Sequence, residues 1–156
     1  MKVYISHRGN LFGPNPGREN HPTYIKKALA IPKLEVEIDV WFTDDGWYLG
    51  HDKPCYKTDE DFLSNTRLWI HCKDIITLQK AVAAGFHCFF HQNDDVALTS
   101  KKYLWLFPGQ PIPDYGMTIA VKPELFPALD ISNAGAICSD YILKYKKEPV
   151  WKNHKK

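Results

Sequence analysis

The chain has 156 residues, a length that fits one domain, and its 44% hydrophobic content, with 13% aromatic residues, is enough for a real core. A net charge of +2 and a pI near 8.3 are too mild to imply nucleic acid as a partner. No apolar run reaches membrane-spanning length, and the start, MKVYISHRG, turns polar too early for a secretory signal. Cys55, Cys72, Cys88 and Cys138 show no CxxC spacing and three of them sit within apolar strand-like runs, so free buried thiols in a reducing, cytoplasmic setting are expected.

Lys2 to Ser6 reads as a first strand, followed by a Gly/Pro/Asn-rich loop from Asn10 to Gly17. Pro22 to Ala30 reads as a helix, with Asn20 or His21 near its cap and proline in its first turn. Leu34 to Phe42 is a strand, Trp47 to Leu49 another after the Asp45-Gly46 turn, and Asp59 to Leu63 a short helical turn. Leu68 to Cys72 is a strand, Asp74 to Ala84 a helix capped by Asp74 and stopped by Gly85, and His87 to Phe90 a strand. Beyond this point helices are expected to disappear. Tyr103 to Phe107, Met117 to Val121 and Ala136 to Ser139 read as strands, and Pro123 to Leu129 as a short turn of helix. The lysine-rich end, residues 146–156, reads as a solvated basic tail after a single domain of residues 1–145.

Strand–helix–strand order at the start predicts parallel strands with crossovers. About seven strands in this length cannot make a full barrel of eight strand–helix units, which needs about 250 residues. The expected fold is therefore α/β: a reduced TIM-type (β/α) barrel with several helices missing in its C-terminal half. An open parallel sheet is the structural rival.

The run LEVEIDVWFTDDGWYLGHD carries the chemistry. Glu35, Glu37 and Asp39 alternate with Val36, Ile38 and Val40, which puts three carboxylates on one face of a strand and aliphatic groups on the other. Three acids on one half-buried face need a cation or other partners. His51 follows the turn, and His7 stands upstream in SHRG, so two imidazoles flank the acids. Trp69, His71 and Lys73 likewise share one face of their strand, opposite Leu68, Ile70 and Cys72. In a parallel barrel the site lies at the carboxyl ends of the strands, and here those ends read His7-Arg8, Glu37/Asp39, His71-Cys72-Lys73, His91-Gln92-Asn93-Asp94 and Ser139-Asp140.

The ordered set SHRG, RENH and VEIDVWFTDDGWYLGHD resembles the glycerophosphodiester phosphodiesterases, which show HRG, a PENT-like segment, an E-x-D-V run followed by T-x-D-G, and then HD. IHCK at Ile70 to Lys73 and GAICSDYI at Gly135 to Ile142 resemble later segments of that family more weakly. The resemblance implies a metal-dependent phosphoric diester hydrolase of the phosphatidylinositol-phospholipase-like type; a glycerophosphodiester-like or sugar-phosphate diester is the expected substrate, since little room for an inserted cap and few later helices suggest a small or unusually exposed one. His7 and His51 would be the acid–base pair. Arg8 and Lys73 would bind phosphate. Glu37 and Asp39 would hold a divalent cation, and Glu19 would orient Arg8 or its loop.

One departure concerns the metal. The family's third metal carboxylate is His71 here, and imidazole favours Zn, Mn or Fe over the oxygen-loving Mg and Ca. Glu35, deeper on the same strand, reads as a buried partner of a cation. His91, Asp94 and Asp95 read as a loop cap, and Trp105 and Phe107 as core or rim. Two alternatives stay open: a lyase that releases a cyclic phosphate, and a barrel that binds a phosphate ligand without turnover.

Overall fold

The computed structural model describes residues 2–147. Ten strands form one sheet: β1 (Val3–His7), β2 (Leu34–Thr43), β3 (Gly46–Leu49), β4 (Tyr56–Lys57), β5 (Leu68–Cys72), β6 (Cys88–Phe89), β7 (Val96–Leu98), β8 (Leu104–Leu106), β9 (Thr118–Val121) and β10 (Ala136–Ser139). Four helices accompany them: α1 (Pro22–Leu29), α2 (Glu60–Leu63), α3 (Ile75–Ala83) and α4 (Ile142–Lys147).

The sheet curls into a partial barrel. Parallel ladders run β6-β5-β2-β1-β10-β9-β8, so the last strands return beside the first. Antiparallel β3 and β4 extend from the far half of β2, and antiparallel β7 ends the other side. No ladder joins β6 to β7 or β8 among the described residues. Across that gap Ser100 N–H donates to the Cys88 carbonyl at 2.8 Å.

The period-two pattern sorts the side chains into two cores. Val36, Ile38, Val40, Leu68, Ile70 and Cys72 point outward, beneath the helices, into the larger buried cluster. Each such aliphatic burial contributes roughly 1.5–3 kcal/mol. Ile5, Trp69, Phe89, Trp105, Ile119, Val121 and Cys138 fill the concave side. Phe89 stacks on Trp105 at 4.4 Å between centroids, closing the interior by side-chain contact where the backbone ladder is open.

The cap reading holds at both longer helices. His21 caps α1, accepting from Thr23 N–H, and Asp74 caps α3, accepting from Thr77 N–H at 2.6 Å. Thr77 Oγ1 in turn accepts from Phe42 N–H at 2.8 Å, tying the start of α3 to the end of β2.

Several expectations need correction. Beyond the eight strand segments read from the sequence the structure has two more, β4 and β7, two- and three-residue segments too short to show a period. Helices do not vanish from the second half: α4 follows β10, with Ile142 fully buried against the outer core. It crosses the expected boundary between domain and tail, and Lys146 Nζ donates to the Pro32 carbonyl at 2.9 Å. Residues 148–156 of that tail lie outside the described residues. Cys72, Cys88 and Cys138 are buried as expected, but Cys55 is exposed. No helix among the described residues is long and apolar enough to cross a membrane.

Candidate active site at the mouth of the partial barrel

β1 and β2 pair in register with His7 opposite Glu37, and β2 and β5 with Asp39 opposite His71. These ladders bring together His7, Arg8, Glu37, Asp39, His71 and Lys73. All six belong to the set expected from the sequence.

Asp39 is the centre of charge. It is fully buried, and Arg8 Nε lies 2.9 Å from its Oδ2, an ion-pair distance without the alignment of a hydrogen bond. Asn20 clasps the same residue twice: its Nδ2 donates to Asp39 Oδ2 at 2.9 Å and its Oδ1 accepts from Asp39 N–H at 2.9 Å. Lys73 Nζ lies 3.2 Å and His71 Nδ1 3.1 Å from Oδ1. Burial opposes the Asp39 charge, but His71, Arg8 and Lys73 outweigh it and hold the carboxyl well below the usual range. Arg8 shows the converse balance: burial works against its cation, yet Asp39, Glu37 and Glu19 raise its pKa.

Glu37 is buried with less help. Its pKa is pushed up by burial and by the neighbouring Asp39, against weaker opposition from His7, Arg8 and His71. Its Oε2 makes no hydrogen bond and lies 3.9 Å from His7 Nε2; its Oε1 lies 3.9 Å from His71 Nδ1. His71 Nε2 is also buried without a partner. Unpartnered buried polar atoms are uncommon and costly, about 1–3 kcal/mol each.

Donor atoms of Glu37, Asp39 and His71 lie within 4.8 Å of one another, so this buried group could hold a metal ion. Two carboxylates and an imidazole fit a divalent cation in type, and the unpartnered Glu37 Oε2 and His71 Nε2 show unused donor capacity. His91 stacks nearly parallel on His71 with centroids 4.5 Å apart. Parallel stacked rings share no common plane, so as placed the two imidazoles cannot both ligate one ion. Burial, then His71 and Lys73, lower the His91 pKa to about 4.

His7 is held from behind. Its Nδ1 is 2.7 Å from Asp140 Oδ1, and because an ionised carboxylate only accepts, that nitrogen carries the proton. Asp140 also accepts from Asn10 Nδ2 at 2.8 Å and pairs with Lys122 Nζ at 3.1 Å. Burial opposes its charge, but His7, Asn10 and Lys122 keep its carboxyl well below the usual range. Asn10 Nδ2 donates as well to Glu19 Oε1 at 2.8 Å, and Arg8 Nη1 lies 3.3 Å from Glu19 Oε2. Glu19 thus orients Arg8, as expected.

His51 is placed differently. Its side chain is 44% exposed, and its Nδ1 pairs with Asp52 Oδ1 at 2.6 Å. It makes no hydrogen bond or ion pair with the buried acids, but it lines both lobes of the cleft: an inner lobe of about 190 Å³ with His7, Arg8, Glu37 and His71, and an outer lobe of about 380 Å³ with Arg8 and Asn20. The preceding Gly50 has φ +149°, and a Cβ there would meet the Lys53 carbonyl at 2.2 Å, so only glycine permits this turn.

The sequence reading noted Asp140 at a strand end without giving it a role, and it missed Lys122, Asn10 and Asn20. Lys122 directly follows β9, so the strand-end rule that selected His7 and Lys73 also reaches it. Arg8, Asn20 and Lys122 all have left-handed backbone, with φ of 55°, 61° and 47°. Such conformations cost on the order of 1–3 kcal/mol each and cluster at functional sites. Glu35 sits deeper, accepting from Trp69 Nε1. Trp105 is 5% exposed and lines the inner lobe, and Phe107 stands at its rim.

No protein-family model, no curated protein and no solved structure matches this chain.

Proposed function

We propose that this protein is a metal-assisted phosphoric diester hydrolase on a reduced TIM-type barrel, of the kind its resemblance to glycerophosphodiester phosphodiesterases implies. The observation that carries the reading is a single cleft in which Glu37 and His71, each with an unpartnered buried donor atom, meet His7 and the cations Arg8 and Lys122. A buried carboxylate with idle capacity beside imidazole and guanidinium is expensive to keep unless a cation and an anion bind there.

Glu37, Asp39 and His71 would hold the divalent ion, Mg, Ca or Mn, with Zn allowed by the imidazole. Such an ion would neutralise the non-bridging phosphate oxygens. Arg8 and Lys122 line the space where a phosphate would lie, and Lys73 adds positive charge through Asp39. With Nδ1–H committed to Asp140, His7 keeps Nε2 for proton abstraction or attack. His51 has its Nδ1 committed to Asp52, leaving Nε2 to protonate the leaving alkoxide. In the hydrolase reading water forms the new P–O bond and the alcohol leaves with the proton from His51. A neighbouring hydroxyl of the substrate in place of water gives a cyclic phosphate, the lyase outcome.

One observation favours a second reading. Asp39 already satisfies both oxygens with Arg8, Asn20, Lys73 and His71, an arrangement that also suits a barrel binding phosphate without turnover. The test measures the metal content of the purified protein and hydrolysis of bis(p-nitrophenyl) phosphate across Mg, Ca, Mn and Zn, in wild type and Glu37→Gln. The proposal expects metal-dependent turnover that falls about 100-fold or more in the variant, with metal content falling alongside. Metal-independent turnover, or none with any ion, would overturn it.

A further inference from the structure

The last strands of the sheet lack the cover that the first ones have. Parallel strands are joined by crossovers, which lay helices on the sheet. α1 packs on β2, α3 on β2, β5 and β6, and α4 on β1 and β10. β7 and β8 are antiparallel instead and joined by the short turn of residues 99–103, so no crossover helix comes between them.

Alternation turns this bare hairpin into an apolar face. Ala97 and Trp105 belong to the concave core, so their strand neighbours point outward. There Val96 is 47% and Leu98 66% exposed. Leu98 pairs with the half-buried Leu104 across the hairpin. Neither strand, VAL nor LWL, carries a charged side chain, although β7 ends the sheet. Sheet edges that stay unassociated usually carry such a charge. Here the charges stand beyond the two ends of β7. Asp94 and Asp95 precede it, and Lys101 and Lys102 lie in the turn that follows, all four exposed.

We infer that the outer face of the β7–β8 hairpin is an interface with a second copy of this chain, the two hairpins facing each other across a twofold axis perpendicular to the strands. Charge complementarity selects both the partner and the axis. A face with acids at one end, apolar side chains in the middle and lysines at the other end is its own complement when one copy is turned end for end. Val96 and Leu98 then meet their counterparts at the centre, and the acids of each copy lie over the lysines of the other. A twofold axis along the strands would instead put acid on acid and lysine on lysine. The inference is independent of the diesterase reading, because Asp94, Val96, Leu98 and Lys102 do not line the cleft.

Sedimentation equilibrium of the full chain, from micromolar to millimolar concentration, tests this. The wild-type protein is expected to approach twice the 18.0 kDa mass of the chain. Leu98→Ser is expected to weaken association at least tenfold. Asp94→Lys and Lys102→Asp each bring like charges together at both ends of the interface, and each alone is expected to weaken association severalfold. Mixing these two variants should restore it, because residue 94 of each copy then again faces an opposite charge at residue 102 of the other. The substituted side chains are exposed, so all three variants should fold, and unchanged circular dichroism verifies this. A monomer at every concentration, a mass that grows past the dimer, association untouched by Leu98→Ser, or a mixture no tighter than its two components would overturn the inference.

Discussion

Asp140 decides which nitrogen of His7 is free. Its Oδ1 lies 2.7 Å from His7 Nδ1, which fixes the tautomer and leaves Nε2 facing the cleft. Asp140→Asn keeps the shape but can offer its amide N–H to the ring, favouring the wrong tautomer. We expect kcat to fall about 10²–10⁴-fold with little change in melting temperature. A full pH–rate profile on a cleavable diester checks this, and an unchanged kcat would remove His7 from proton transfer. His7, Arg8, Glu37, Asp39, His71 and Lys73 were legible because alternation and strand ends assign faces from sequence alone. Asp140's role was not: it depends on β10 returning beside β1 from 133 residues away.

Among the elements, α3 shows how a helix start can brace the site. Phe42 N–H has Thr77 Oγ1 as its partner, at the end of the strand that carries Glu37 and Asp39. Thr77 is fully buried, so Thr77→Val would keep the shape and strand that donor. The expected loss is about 1–3 kcal/mol in urea unfolding, against a few tenths for Thr77→Ser, which keeps the hydroxyl. Equal losses would assign the effect to packing instead. The cap at Asp74 and the stop at Gly85 were visible in sequence because capping is local chemistry. β4, β7 and α4 were not, because two, three and six residues carry too little period to outweigh the prior for loop.

At the scale of the whole molecule, the far end of the barrel interior holds a titration that should couple folding to pH. His87 is buried against Trp69, with ring centroids 4.1 Å apart, and its Nε2 lies 3.3 Å from Thr99 Oγ1. Burial, aided by Lys101, lowers its pKa from 6.5 to about 3. A base depressed in the folded state binds fewer protons there than in the unfolded chain, so stability is complete above pH 6.5 and is lost as pH falls toward 3. The loss is at most about 1.4 kcal/mol per pH unit across that window. Urea unfolding of wild type and His87→Gln at pH 7 and pH 5 tests it. The difference in stability between the two proteins should narrow at pH 5; a constant gap would mean that His87 does not titrate between folded and unfolded states.

The sequence by itself determined which residues face each other across a strand, where the longer helices begin, and which side chains stand at the strand ends. Those are consequences of backbone period and capping, and they operate within a few residues. Tertiary structure alone decided where the expected partial barrel stays open, with Phe89 and Trp105 packing across the gap where no ladder forms among the described residues. It alone decided that Asp140, Asn10 and Lys122 back His7, that Asn20 clasps Asp39, and that His51 stays at the rim, away from the buried acids. Such facts depend on strand order and on the competition of several cations for one buried carboxylate. Neither is encoded in the spacing of residues along the chain.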